Sequence, residues 1–295
     1  MDQTPTSRLL LDDIYFGEGP RWHEGRLWFS DFHAHAVRSV APDGSDARVE
    51  LTLDDQPSGL GWMPDGSLLV VSMVKRQLLR RWPDGRLTLH ADLSDMATFH
   101  CNDMVVDGEG RAYVGNFGFD LDGIIREHGE AELPAHVVPA KIALVQPDGQ
   151  VSVAADNLLF PNGMVITPDG ATLIVGETLG YALTAFTIAA DGGLSDRRVW
   201  ASTAPRLPDG IALDAEGAVW IANPVANECV RFAEGGEVLE VVVTDQKCFA
   251  CTLGGEDGRR LFTLTAATSD GDRAAREMRG KLWVTEVTVP RAGRP

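Results

Sequence analysis

The sequence predicts an all-β protein, a six-bladed β-propeller whose four-stranded antiparallel blades surround a central channel. Three observations carry this reading. An acidic residue followed by glycine occurs six times in front of a β-rich segment, at Glu24-Gly25, Asp65-Gly66, Glu109-Gly110, Asp169-Gly170, Glu216-Gly217 and Asp257-Gly258. The six glycines lie 41, 44, 60, 47 and 41 residues apart, a period that belongs to radially repeated four-stranded sheets. A second series of turns falls between them, at Asp43-Gly44, Asp84-Gly85, Asp148-Gly149, Asp191-Gly192-Gly193 and Gly235-Gly236.

Each copy has a local physical reason. Asp or Glu opens a tight turn and glycine accepts the positive φ that such turns need, after which β-branched and aromatic residues favour a strand. The strands that follow in order are Leu27-Trp28-Phe29, Leu68-Leu69-Val70-Val71, Ala112-Tyr113-Val114, Leu173-Ile174-Val175, Val219-Trp220-Ile221 and Leu261-Phe262-Thr263. The first turn series makes one hairpin of a blade and the second series makes the outer one. A strand around Leu9 to Ile14 is expected to pair with Lys281 to Val287 and close the ring. The one long interval holds Gly118 to Ala140, expected as an inserted loop and a lid over a binding site. The repeats occupy nearly all of the 295 residues, so residues 1–295 are expected to form a single domain.

Composition narrows the partners. A formal charge of −17 argues against nucleic acid and anionic membranes, whose binding needs a basic patch, and points to a small molecule. Met1 to Leu11 lacks a basic start and a long apolar core, and no apolar run approaches the ~20 residues of a membrane span; a cytoplasmic location is expected. Cys101, Cys229, Cys248 and Cys251 are too few for a disulfide framework and lack a second pair for zinc, so they are read as buried thiols. Trp28 and Trp220 sit at matching repeat positions and are read as filling between blades.

Counting back seven or eight residues from each repeat glycine reaches Glu18, Ser58, Asn102, Asn162, Asp209 and Ala250, which in a propeller form one ring at the axis. The phrases Gly17-Glu18-Gly19-Pro20, Pro57-Ser58-Gly59-Leu60, Pro161-Asn162-Gly163-Met164 and Pro208-Asp209-Gly210-Ile211 are variants of one pattern, in which glycine lets the backbone approach a central ligand. Glu18, Asn102, Asn162 and Asp209 offer two carboxylates and two amide oxygens, a set suited to a hard divalent cation. Calcium suits it best, since magnesium demands a near-ideal octahedron; manganese and zinc are the alternatives. Alternation along a strand turns Asp103 away if Asn102 faces inward, leaving it a supporting role. His33 and His35, two apart, read as a solvated loop or as sharing a face near the pocket, and Phe117 and Phe119 as the wall of a substrate entrance or as lid packing.

At these residues the chain resembles the SMP-30/gluconolactonase/luciferin-regenerating-enzyme family. The likeness runs through Gly17-Glu18-Gly19-Pro20, Asn102-Asp103, Pro161-Asn162-Gly163-Met164, the stretch Pro208 to Trp220, and Cys248-Phe249-Ala250-Cys251-Thr252-Leu253-Gly254-Gly255. It implies a six-bladed propeller with one catalytic divalent metal held by Glu18, Asn162 and Asp209, with Asn102 as a further ligand or a substrate contact. It also implies that Asp209 is the general base in hydrolysis of a lactone, the metal polarising the carbonyl. Sugar-lactone members often carry arginine two residues before the asparagine, where this chain has His100. His100 is therefore read as orienting a different substrate, as a proton shuttle, or as a hydrogen-bonded residue at the channel mouth. The competing class is a non-catalytic scaffold or ligand-binding propeller with a structural metal.

Overall fold

The computed structural model describes residues 7–295. All six repeat glycines take positive φ, from 72° at Gly170 to 84° at Gly110, as hairpin turns between right-twisted strands require. Six four-stranded antiparallel sheets result, arranged as a six-bladed β-propeller. In the first five blades the strands follow in chain order from the axis outward. The innermost strands are Gly17–His23, Pro57–Trp62, Cys101–Val106, Pro161–Ile166 and Ile211–Leu213, and the sixth blade starts at the axis with Lys247–Gly254.

The sixth blade takes its outermost strand from the other end of the chain. Arg8–Ile14 lies antiparallel to Gly280–Glu286, with Arg8 opposite Val284 and Ile14 opposite Gly280, as the sequence led us to expect. This pairing joins the two ends and leaves the blade no three-stranded edge. Buried apolar layers between the sheets hold the ring together; one, between the fifth and sixth blades, packs Trp220 with Cys229, Cys248, Cys251 and Leu253. All four cysteines are buried free thiols.

The glycines that follow the ring residues serve blade packing. A Cβ on Gly59 would lie 2.5 Å from the Met104 nitrogen, and one on Gly163 would lie 2.5 Å from the Ile211 nitrogen and 2.6 Å from the Asp209 carbonyl oxygen. Only the absence of a side chain lets neighbouring innermost strands come this close. The expected reason, approach to a central ligand, is replaced by approach to the next blade.

Two segments depart from pure β structure. The insertion carries helix α1 (Leu121–His128), a short 3-10 turn (Glu130–Glu132) and helix α2 (Leu133–His136), so the expected loop is partly helical. Asp120 caps α1 by accepting from the Gly123 nitrogen, and Leu121, Ile124 and Leu133 pack toward Phe160 and Leu179 of the fourth blade. Helix α3 (Gly271–Glu277), capped by Asp270, stands between the last two strands of the sixth blade and was not anticipated. Among the described residues no helix is long and apolar enough to cross a membrane.

Candidate metal and substrate site

The innermost strands lose register with their neighbours at the ring positions. The shifts fall between Glu18 and Arg21, Pro57 and Leu60, Cys101 and Met104, and Pro161 and Met164. Such irregularities bend a strand and re-aim its side chains. Here they lie where the ring residues approach the axis, at the floor of a cavity of about 680 Å³.

Glu18, Asn102, Asn162 and Asp209 all line that cavity, together with His100. Ser58 and Ala250, the two remaining ring residues, are fully buried and do not line it. The structure thus brings the four oxygen-bearing side chains together and adds a supporting hydrogen-bonded row. Ser58 Oγ donates to Asn102 Oδ1 (3.2 Å), Asn102 Nδ2 to Asn162 Oδ1 (3.2 Å), Asn162 Nδ2 to Thr178 Oγ1 (3.1 Å), and Thr178 Oγ1 to the Pro208 carbonyl (2.8 Å).

The far end of this row sets its direction. The Pro208 carbonyl only accepts, so the Thr178 hydroxyl must donate to it and accept from Asn162. Asn162 therefore turns its amide oxygen toward the axis side, and Asn102 meets it with nitrogen while its own oxygen faces Ser58. Thr178 was missed in the sequence because it belongs to the connection after the next strand, Thr172–Glu177, and only folding places it beside Asn162.

Burial and mutual repulsion dominate the electrostatics. Desolvation, followed by the charges of Asp209 and Asp103, pushes the Glu18 carboxyl well above the usual carboxylate range. Asp209 is likewise pushed well up by desolvation and then by Asp103, against a lowering hydrogen bond from Asn162. Asp103 is raised by burial and lowered by the Arg21 charge, and its Oδ1 is buried without a hydrogen-bond partner. It thus acts on both neighbouring carboxylates. As alternation led us to expect, Asn102 lines the cavity and Asp103 does not; Asp103 acts on the site through its charge.

Arg21 is the cation nearest this cluster in its electrostatic effects, yet its side chain donates to the backbone carbonyls of Pro20, Leu60 and Met104. Among the described residues no ion pair joins it to Glu18, Asp103 or Asp209. Nor does any group of three or more His, Cys, Asp or Glu side chains gather there as a metal site. The donors are instead two carboxylates and two amides. Buried carboxylates held close without a paired cation, beside an orphaned carboxylate oxygen, fit a hard divalent ion, because its charge relieves the cost that raises their pKa values.

The remaining expected residues divide. His100 lines the cavity and stacks on Phe99, ring centroids 4.1 Å apart, and burial pushes its pKa down. His33 also lines the cavity, 3.4 Å from Gln56 through Nδ1, whereas His35 is exposed and turns its Nδ1 to the Asp55 carbonyl. Both lie in the turn between Arg26–Asp31 and Ala36–Val40, but only His33 reaches the cavity, so they do not share a face. Phe117 forms cavity wall, and Phe119 packs behind it against Phe160. The wall residues Phe16, Phe32, Phe160 and Leu179 were missed; the signal that could have found the first three is position, since Phe16 and Phe160 stand two residues before ring residues and Phe32 directly follows a second strand.

Comparison with known proteins places these features. A curated relative named pentonolactonase XacC, from Haloferax volcanii, is 28% identical over 98% of this chain and 96% of its own. Another, 6-deoxy-6-sulfogluconolactonase from Pseudomonas putida, is 26% identical over 95% of this chain and 94% of its own. The solved structure of regucalcin from Agrobacterium tumefaciens, described as a calcium-binding protein, has the same fold: TM-score 0.78 and 22% identity, over 99% of this chain and 97% of that one. The family model for the SMP-30/Gluconolactonase/LRE-like region matches residues 16–267, and the chain belongs to that family.

Proposed function

We propose that this protein is a divalent-metal-dependent lactonase, with calcium as the first choice of ion. The observation that carries this is the convergence of Glu18, Asp209 and Asn162 at the cavity floor, where both carboxyls are raised and neither is paired with a cation. The names of the two lactonase relatives support the reaction class, and the calcium-binding description of the regucalcin structure supports the ion.

Glu18, Asn162 and Asp209 would hold the cation. When bound, it would supply Lewis acidity to a substrate carbonyl oxygen and offset the charge that develops on it. Asp209 would be the proton acceptor, because a carboxylate that holds the ion through one oxygen has a second oxygen able to take a proton from water. The water oxygen bonds to the acyl carbon, the ring C–O bond breaks, and the departing oxygen leaves protonated, so lactone and water give one hydroxy acid. Asn102 presents nitrogen rather than oxygen toward Asn162, which favours contact with a substrate oxygen over ligation. His100, held neutral by burial, orients substrate at the wall, and residues 118–140 act as the lid.

The test is ring opening of a panel of lactones followed by pH indicator, before and after chelation. Turnover that disappears with chelator and returns with calcium is expected. A bound cation without turnover on any lactone would instead support a scaffold propeller with a structural metal.

A further inference from the structure

The cavity floor and the cavity wall ask for different chemistry. The floor is polar, but among the described residues no lysine or arginine lines the cavity. The charged side chains that do are Glu18, Asp209 and Asp122, with His33 and His100, and burial lowers the pKa of both histidines. A sulfonated, phosphorylated or carboxylated substrate would find no fixed cation of the chain beyond the reaction centre.

Polyhydroxylated rings fare little better. Thr178 spends its hydroxyl on Pro208 and Asn162, and Gln56 faces His33. Above the floor the wall is mainly carbon, with Asp122, Tyr181, Ser269 and the two histidines set among apolar side chains. Phe16 packs on Phe249 with centroids 4.7 Å apart and on Phe32 at 5.4 Å, and Phe117 meets Phe160 edge-on at 4.9 Å. Ile125 and Leu133 of the inserted helices face the same space. A hydroxyl buried there without a partner costs about tenfold in affinity, whereas each buried methylene gains about threefold to fourfold.

We propose that the site takes apolar lactones, with an alkyl or aryl substituent seated among these rings, in preference to sugar lactones. The inference rests on the lactonase reading and specifies its substrate class. Water and a 6-substituted δ-lactone give a 5-hydroxy acid with no redox change, the ring oxygen leaving the acyl carbon with a proton and the acyl carbon keeping the water oxygen. The cavity volume of about 680 Å³ lies in the range that encloses a ligand of drug-like size.

Binding and turnover test it separately. Calorimetric titration with unreactive δ-lactams needs neither metal nor catalysis. Affinity is expected to rise about threefold per methylene as a 6-alkyl chain grows from methyl to hexyl. The polyhydroxylated gluconolactam is expected to bind at least about a hundredfold more weakly than the hexyl lactam. Phe117→Ala and Leu133→Ala, made separately so that one misfolded variant does not decide the matter, should each flatten the chain-length dependence. Gluconolactam binding as tightly as the hexyl lactam, or affinity independent of chain length, overturns the apolar assignment. With calcium present, hexyl-substituted lactone should be opened with a higher kcat/KM than gluconolactone. The reverse order overturns the assignment while leaving the lactonase reading intact. Absence of turnover on every lactone overturns the lactonase reading, and the lactam ranking still decides the pocket's ligand class.

Discussion

The floor and the roof of the cavity were built by different means. The floor is made of equivalent positions on successive innermost strands, so Glu18, Asn102, Asn162 and Asp209 reach the axis because the repeat brings each of them there. The roof adds a departure from the repeat, the helices of residues 118–140, above a collar of Phe16, Phe32, Phe117 and Phe160 carried by loops at the ends of the inner strands. A repeat places side chains about an axis, but selecting a substrate needs asymmetry, which comes from the changing residue types of the collar and from the inserted helices. Changes to the floor should therefore alter catalysis and metal affinity, while changes to the roof should alter which lactone is accepted.

The largest effect should come from the floor. Asp209→Asn removes the proposed proton acceptor and one carboxylate, and kcat is expected to fall by about 10²–10⁴-fold; a raised KM with kcat unchanged would place Asp209 in substrate binding instead. Thr178→Val comes next. It leaves the carboxylates in place but removes the hydroxyl that fixes the Asn162 amide, so calcium affinity measured by titration should drop about 10–100-fold. Unchanged affinity would show that the hydrogen-bonded row does not orient a ligand.

Stability effects probe the same division. Gly163→Ala puts a methyl group against the backbone of the next blade, and chemical denaturation should show a loss of about 1–3 kcal/mol. The pH dependence of the chelated protein is smaller but diagnostic. Glu18 and Asp209 have raised folded-state pKa values, so between the unfolded and folded values the native protein binds more protons than the unfolded chain. Stability contributed by these groups therefore falls as pH rises through and above the ordinary carboxylate range. The Tm of chelated protein should drop as pH rises above the ordinary carboxylate range, and calcium should restore it. A chelated Asp209→Asn variant should show a shallower drop, and an equal drop would mean that other groups govern it.

The contrast also explains how much could be read in the sequence. Six blades, the closure by residues near Leu9 and Lys281, and the four polar ring residues follow from a local pattern repeated in register. Phe16, His100 and Phe160 stand two residues before ring positions, and Phe32, Phe117 and Thr178 directly follow second strands, so the wall repeats in place but not in residue type, and no shared chemistry marked it. Arg21 has no such pattern and meets its partners through carbonyls of neighbouring strands. Asp103 was legible as well: alternation turns it away from the cavity that Asn102 lines, and what the sequence did not show is that its charge reaches Glu18 and Asp209. Helix α3 was hidden because its short run from Gly271 to Glu277 buries only Ala274, too little to imprint a helical period.

The central claim is that Glu18, Asn162 and Asp209 hold a divalent cation at the cavity floor. Crystals grown with calcium and measured at a wavelength where calcium scatters anomalously test it directly. The account predicts one anomalous peak at the floor, about 2.3–2.6 Å from oxygens of those three side chains, and loss of that peak in Asp209→Asn. No peak at the floor in crystals saturated with calcium, or a peak whose ligands are other residues, would contradict it.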